Sequence, residues 1–263
     1  MIATGSDEQS RQMAELLGQF IVSAANHSPR SLQTAIGPSE IGDPCERKLS
    51  YKVLDWPTAA GERDPIAPVI GTGFHAWMEE QFTARNQVGR YKIEEKVTVR
   101  DGYGAAAPIR GSSDLYDRLT RTNLDWKLVG KSSLEKYRRG GPGEQYRIQA
   151  HLYGLGQQNA GENPARVAIV FVARYHETII HVWSEPYDRQ VALDALDRLD
   201  RIRQRVLDLD PEANPAAWSE IPMDPHAKCR FCDWLLPGST DLSKGCPGLA
   251  SLSTSTGFEG LTG

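Results

Sequence analysis

The feature that most constrains this chain is the placement of its four cysteines. Cys229 and Cys232 sit three positions apart in "HAKCRFCDW", Cys246 follows them, and Cys45 lies near the other end. The C-x-x-C spacing lets one short turn offer two thiols to a single centre. Tetrahedral metal and iron–sulfur sites take four such ligands. A fold that assembles all four must bring its N-terminal segment back onto its C-terminal one. Thiolate ligation alone leaves zinc and iron–sulfur both open, with zinc the simpler choice.

At 263 residues the chain suffices for one large domain or two small ones. Its 40% hydrophobic and 24% charged residues are those of a globular protein. No apolar run approaches the ~20 residues that cross a bilayer, so no membrane association is expected. "MIATGSDEQSRQ" lacks a basic segment leading into an apolar one, which argues against a secretory signal. The expected location is therefore the reducing cytoplasm, where cysteines serve metals rather than disulfides. A net charge of −4 gives no overall attraction to nucleic acid, so any such surface must be a local patch.

Along the chain, 7–25 has helical spacing with Met13, Leu16, Leu17, Phe20 and Ile21 on one stripe. A short helix is expected after Cys45 and a longer one over 69–84, beyond a Pro- and Gly-rich connector. The middle reads as three strands over 91–99, 108–119 and 123–129. A basic Gly-rich loop, "KYRRGGPGE", should lead to a helix at 144–159. A buried strand over 165–174, a hairpin partner in "TIIHVWSE" and a charged helix near 188–208 follow. The expected fold is α/β, a mixed central sheet flanked by helices. It divides into an N-terminal helical segment (1–67), a core (68–208), a cysteine-bearing segment (209–248) and a disordered tail (249–263).

The sharpest local signal is "NLDWK". Residues two apart on a strand point the same way, so Asp125 and Lys127 share a face while Trp126 points away. A tight turn after the preceding strand brings Asp114 beside Asp125. Two carboxylates and a lysine make a site for a hard cation with a positive group next to it. Taken alone, D-x-K is far more often a cross-strand salt bridge. In "GTGFHAWMEE", His75 and Glu79 lie one helical turn apart, and in "YRIQAHLYG" Gln149 and Tyr153 do the same. Each pair alone has a bland reading as core or surface.

The ordered set, from Cys45 through His75, Asp114, Asp125-x-Lys127 and Gln149-x-x-x-Tyr153 to Cys229, Cys232 and Cys246, resembles the PD-(D/E)xK nuclease superfamily. Within it the likeness is to the RecB-like iron–sulfur branch, which includes the CRISPR-associated exonuclease family. The resemblance covers about residues 38–247. It departs from the branch in the long stretch between Cys232 and Cys246. The resemblance implies a restriction-endonuclease-like core and a Mg²⁺- or Mn²⁺-dependent DNA exonuclease acting on single strands or DNA ends. On this likeness His75, Asp114, Asp125 and the Trp126 carbonyl hold the metal, and Glu79 binds a metal-bound water. Lys127 orients the attacking water or stabilises the transition state. Gln149 and Tyr153 position the strand, and Lys136, Arg138 and Arg139 contact phosphates. Cys45, Cys229, Cys232 and Cys246 then ligate a structural 4Fe–4S cluster, with zinc as the alternative.

DNA is the expected partner, and a helicase or a recombination- or CRISPR-type protein would have to supply unwinding, since no helicase motif is present. Two other classes stay open: a catalytically weak protein that captures DNA ends, and a zinc-stapled interaction protein in which D-x-K is only a salt bridge.

Overall fold

The alternating stretch "YKIEEKVTVR" forms strand β1 (Tyr91–Arg100), and "IRGSSDLYD" forms β2 (Ile109–Asp117) antiparallel to it. Four residues reverse the chain into β3 (Thr122–Val129), again antiparallel. The apolar run "RVAIVFVA" is β4 (Arg166–Ala173), parallel to β3, and β5 (Ile180–Pro186) closes the sheet antiparallel. The computed structural model describes residues 4–27, 35–59, 61, 64–104, 106–175 and 178–249. Within it the molecule is α/β, with one five-stranded mixed sheet in the order β1-β2-β3-β4-β5.

The parallel step from β3 to β4 requires a crossover, made by helices α5 (Lys131–Gly140) and α6 (Glu144–Asn159). Here the sequence reading needs correction, because "KYRR" belongs to a helix and not a loop. Leu134 and Tyr137, three apart, are buried against β4, and this burial stabilises the turn that carries the basic residues. The loop proper starts at Gly141, whose φ of 73° is left-handed, a conformation that suits glycine.

Helix α6 lies along the sheet and α7 (Arg189–Leu209) packs on it, with Leu152, Leu155, Leu196 and Leu199 in a shared core. Gly154 and Gly156 let α6 approach closely, since a Cβ at either would fall 2.7 or 2.6 Å from a neighbouring side chain. Against the other sheet face lies α4 (Ile66–Arg85), which contributes Phe74, Met78 and Phe82 to a cluster with Leu115, Trp126 and Val170. The short helices α2 (Pro38–Ile41) and α3 (Glu46–Val53) precede it.

Helix α1 (Glu8–Asn26) forms as its periodicity predicts, yet it buries no residue; Leu16 and Phe20 remain exposed. The tail expected over 249–263 lies, apart from Leu249, outside the described residues. No helix among the described residues is long and apolar enough to cross a membrane.

Candidate metal centre and cysteine site

The β2–β3 ladder pairs Leu115 with Leu124 and stops there, so Asp114 and Asp125 face each other where the two strands part. Asp114 Oδ2 then accepts the Trp126 N–H at 2.8 Å, a buried carboxylate satisfying a backbone donor at the split. Its other oxygen lies 3.4 Å from His75 Nδ1, delivered by α4. Asp125 points to the α6 side, where Gln149 Nε2 donates to its Oδ1 at 2.5 Å. Lys127 Nζ lies 2.5 Å from Asp125 Oδ2, and this oxygen has no further hydrogen-bond partner. The Lys127 ammonium also sits over the Tyr146 ring, 5.1 Å from its centre.

The structure therefore gathers His75, Asp114, Asp125, Lys127 and Gln149. It also adds Glu94, which sequence reasoning missed. Glu94 Oε1 lies 3.7 Å from His75 Nδ1, and its Oε2 accepts the Ser112 hydroxyl at 2.7 Å. Ligand atoms of His75, Glu94 and Asp114 fall within 4.8 Å of one another, close enough to share one cation. Glu94 has a φ of 45° inside β1, a left-handed conformation that costs a non-glycine residue about 1–3 kcal/mol. No spacing in the sequence announces it, because its alignment with Asp114 depends on how the 101–108 excursion sets the β1–β2 register.

Other expected residues fall elsewhere. Glu79 is exposed and outside this group. Gln149 is buried and turned to Asp125 rather than toward solvent. Tyr153 is buried with its ring against Gly111. Arg138 and Arg139 are exposed, the latter 3.6 Å from Glu135.

The electrostatics are those of a site built for positive charge. Although burial opposes it, hydrogen bonds and charge from Asp114 and Glu94 raise His75 to about 9. Burial pushes Asp125 up to about 6, with Lys127 pulling it down and Asp114 adding repulsion. Glu94 is lowered, chiefly by its bond to His75, with burial opposing. In the bare protein the imidazolium and the ammonium balance the carboxylates; an oxygen- and nitrogen-liganded cation suits the same donors.

Cys45, Cys229, Cys232 and Cys246 line one small pocket of ≈ 20 Å³, together with Arg47 and Lys48. None of the four is in a disulfide. Burial raises Cys45 and pushes Cys232 up to about 11. Arg47 points Nη1 at Cys246 Sγ, 3.7 Å away, and its Nε and Nη2 donate to the Ile221 carbonyl. Beneath the thiols, Tyr51 stacks on Trp218 and Trp234, at 4.0 and 5.5 Å between ring centres. Tyr51 Oη donates to the Leu242 carbonyl at 2.5 Å, Trp56 Nε1 to Ser243 at 2.7 Å, and Trp234 Nε1 to Trp56 at 2.9 Å. The two ends of the chain are thus joined by an aromatic clasp beside the cysteine pocket.

No protein-family model and no curated protein matches the chain. Among solved structures it is similar to SSO0001 at 12% identity, over 84% of this chain and 94% of that one, with a TM-score of 0.49. It is similar to the alkaline exonuclease LHK-Exo from Laribacter hongkongensis at 11% identity, covering 72% and 95%, TM-score 0.47. A phage-related exonuclease from Haemophilus somnus 129PT shares 14% identity over 68% and 96%, TM-score 0.43.

Proposed function

We propose that this chain is a metal-dependent deoxyribonuclease, an exonuclease that hydrolyses phosphodiester bonds in DNA, with the N- and C-terminal segments joined at an iron–sulfur cluster. The observation that carries the reading is the convergence of His75, Glu94 and Asp114 from a helix and two strands, with the Asp125–Lys127 pair on the adjoining strand. A salt bridge on a solvated sheet face needs none of these elements, and Asp125 is only 2% exposed.

His75, Asp114, Asp125 and the Trp126 carbonyl would hold Mg²⁺ or Mn²⁺, with Glu94 beside them. The bound cation supplies charge neutralisation at the scissile phosphate and lowers the pKa of water. Asp114 is oriented for this by the Trp126 N–H, and Asp125 by Gln149. Lys127, braced by Asp125 and the Tyr146 ring, presents an ammonium where negative charge develops on the phosphoryl group.

At the cysteine site four thiols suit zinc and iron–sulfur alike, and the cluster reading is supported by the family resemblance. Zinc in a Cys₄ site holds its sulfurs about 3.8 Å apart, given Zn–S bonds of ~2.3 Å. All four cysteines line the same pocket, which suits a shared centre of either kind. A 4Fe–4S cluster fills more space between its thiolates, and its role here is to fasten the two ends.

The deciding experiment is nuclease activity on single- and double-stranded DNA labelled at each end in turn, with Mg²⁺, Mn²⁺ or chelator. Mononucleotide release that requires the metal is expected, and binding without metal-dependent cleavage would return the protein to the class of DNA-end-binding accessories.

A further inference from the structure

A second and larger recess, an open groove of ≈ 470 Å³, runs between the α5–α6 junction and the cysteine segment. One wall holds Lys136, Tyr137 and Tyr146; the other holds Asp43, His226 and Lys228. Its two ends meet the two sites already described. Tyr146 is the residue whose ring abuts Lys127, and Asp43 and Lys228 also line the cysteine pocket.

The charge of this groove is positive in a chain whose net charge is −4. Lys136 and Lys228 have no ion-pair partner among the described residues. Asp43 is neutralised by Lys48 at 2.6 Å, and Glu144 faces Arg147 at 3.5 Å. Arg198, also on the lining, donates to the carbonyls of Ile41, Asp43 and Pro44 and keeps its charge in place.

We infer that this groove carries a single-stranded nucleic-acid segment from the cysteine site toward Lys127, its phosphates against Lys136 and Lys228. The inference rests on the nuclease reading and adds to it the substrate's form and path. Asp125 and Asp114 are 2% and 8% exposed, so the reacting phosphate must enter a recess. A flexible single strand reaches such a place, whereas duplex DNA, stiff over ~50 nm, does not bend into it. Cations that track the backbone are a usual means of holding a single strand. It follows that the cysteine segment does more than fasten the chain ends: it forms one wall of the substrate path. Arg138 and Arg139, on the same helix as Lys136, lie outside the lining and contribute little.

The test uses the intact, cluster-loaded protein with Ca²⁺ replacing the catalytic metal, and fluorescence anisotropy of a labelled 20-mer oligo(dT) over a range of salt. Lys136→Glu and Lys228→Glu should each weaken binding about fivefold or more and flatten the log K against log salt slope by about 0.7. Arg138→Glu, Arg139→Glu and, as a control elsewhere on the cysteine segment, Lys244→Glu should stay within about twofold of wild type. A blunt duplex should bind weakly and be insensitive to all five changes. Should Lys228→Glu lose its cluster, Lys136→Glu, which lies on a helix away from the thiols, carries the test. Unchanged binding of Lys136→Glu and Lys228→Glu by a wild-type protein that does bind and cut DNA overturns the groove alone. Losses confined to duplex binding overturn the single-strand assignment. A wild-type protein with neither binding nor metal-dependent cleavage overturns the nuclease reading together with it.

Discussion

Gln149 donates its amide to Asp125 Oδ1 at 2.5 Å, so helix α6 holds the carboxylate at the centre of the candidate metal site. This gives a buried helical glutamine a task inside the protein: it orients a buried carboxylate.

Gln149→Ala should accordingly lower kcat about 10- to 100-fold, the usual cost of losing a partner that orients a ligand, with KM for DNA within about twofold. Gln149→Glu should not rescue, since it sets a second carboxylate against Asp125. Steady-state kinetics on single-stranded DNA separate the possibilities. A raised KM at unchanged kcat would show that Gln149 grips substrate instead.

Asp125→Ala and Lys127→Ala should differ in a measurable way. Both should lose at least about 100-fold in rate, the scale set by removing a charge-stabilising group. Calorimetric Mn²⁺ binding should fail for Asp125→Ala and survive in Lys127→Ala. A Lys127→Ala protein that cuts at the wild-type rate would remove the lysine from the mechanism.

Glu94→Gln should weaken Mn²⁺ binding about tenfold or more and also lower the melting temperature of the metal-free protein at neutral pH, since one of the carboxylates that hold the charged His75 is lost. Equal Mn²⁺ affinity in Glu94→Gln and wild type would leave Glu94 as a partner of Ser112 and His75 only.

The metal-free protein should become less stable as pH rises. His75 titrates near 6.5 unfolded and is raised to about 9 in the fold by Asp114 and Glu94, against the opposing effect of burial. A group raised on folding contributes its full stabilisation below the unfolded value and loses it as pH passes through the folded one. Melting temperatures of chelator-treated protein should thus fall between about pH 6.5 and 9. His75→Gln should flatten that slope, and Mn²⁺ should remove it by taking the place of the proton. An identical slope in His75→Gln would assign the effect to other groups.

Wild-type protein purified without oxygen should be brown and hold about four irons per chain. Cys45→Ala should lose the colour and up to about 4–5 kcal/mol of stability, if the cluster acts as a cross-link of comparable span. Because Tyr51, Trp56, Trp218 and Trp234 also join the two ends, limited proteolysis should leave residues 209–248 attached to the core. Adding Trp234→Ala should release them. Colourless wild type with one zinc would replace the cluster and keep the clasp.

Much of this architecture is written in local pattern. Alternation in "YKIEEKVTV" and the apolar run of β4 encode strands, because a strand's side chains need only know which face they occupy. The same period of two sets Asp125 and Lys127 on one side with Trp126 opposite, and a four-residue turn forces Asp114 alongside. What the sequence could not display depends on contacts between distant segments. The helix carrying "KYRR" exists because Leu134 and Tyr137 find β4 to bury against, and its glycines suggested only a loop. Glu94 reaches His75 because the β1–β2 register sets it opposite Asp114, and one residue of slip would have pointed Glu95 there instead. The cysteines announced that the chain ends meet, but the aromatic clasp that joins them was invisible, since Tyr51 and Trp234 carry no spacing that relates them. Periodicity determines which side of an element is apolar; only the packed structure decides what that side meets.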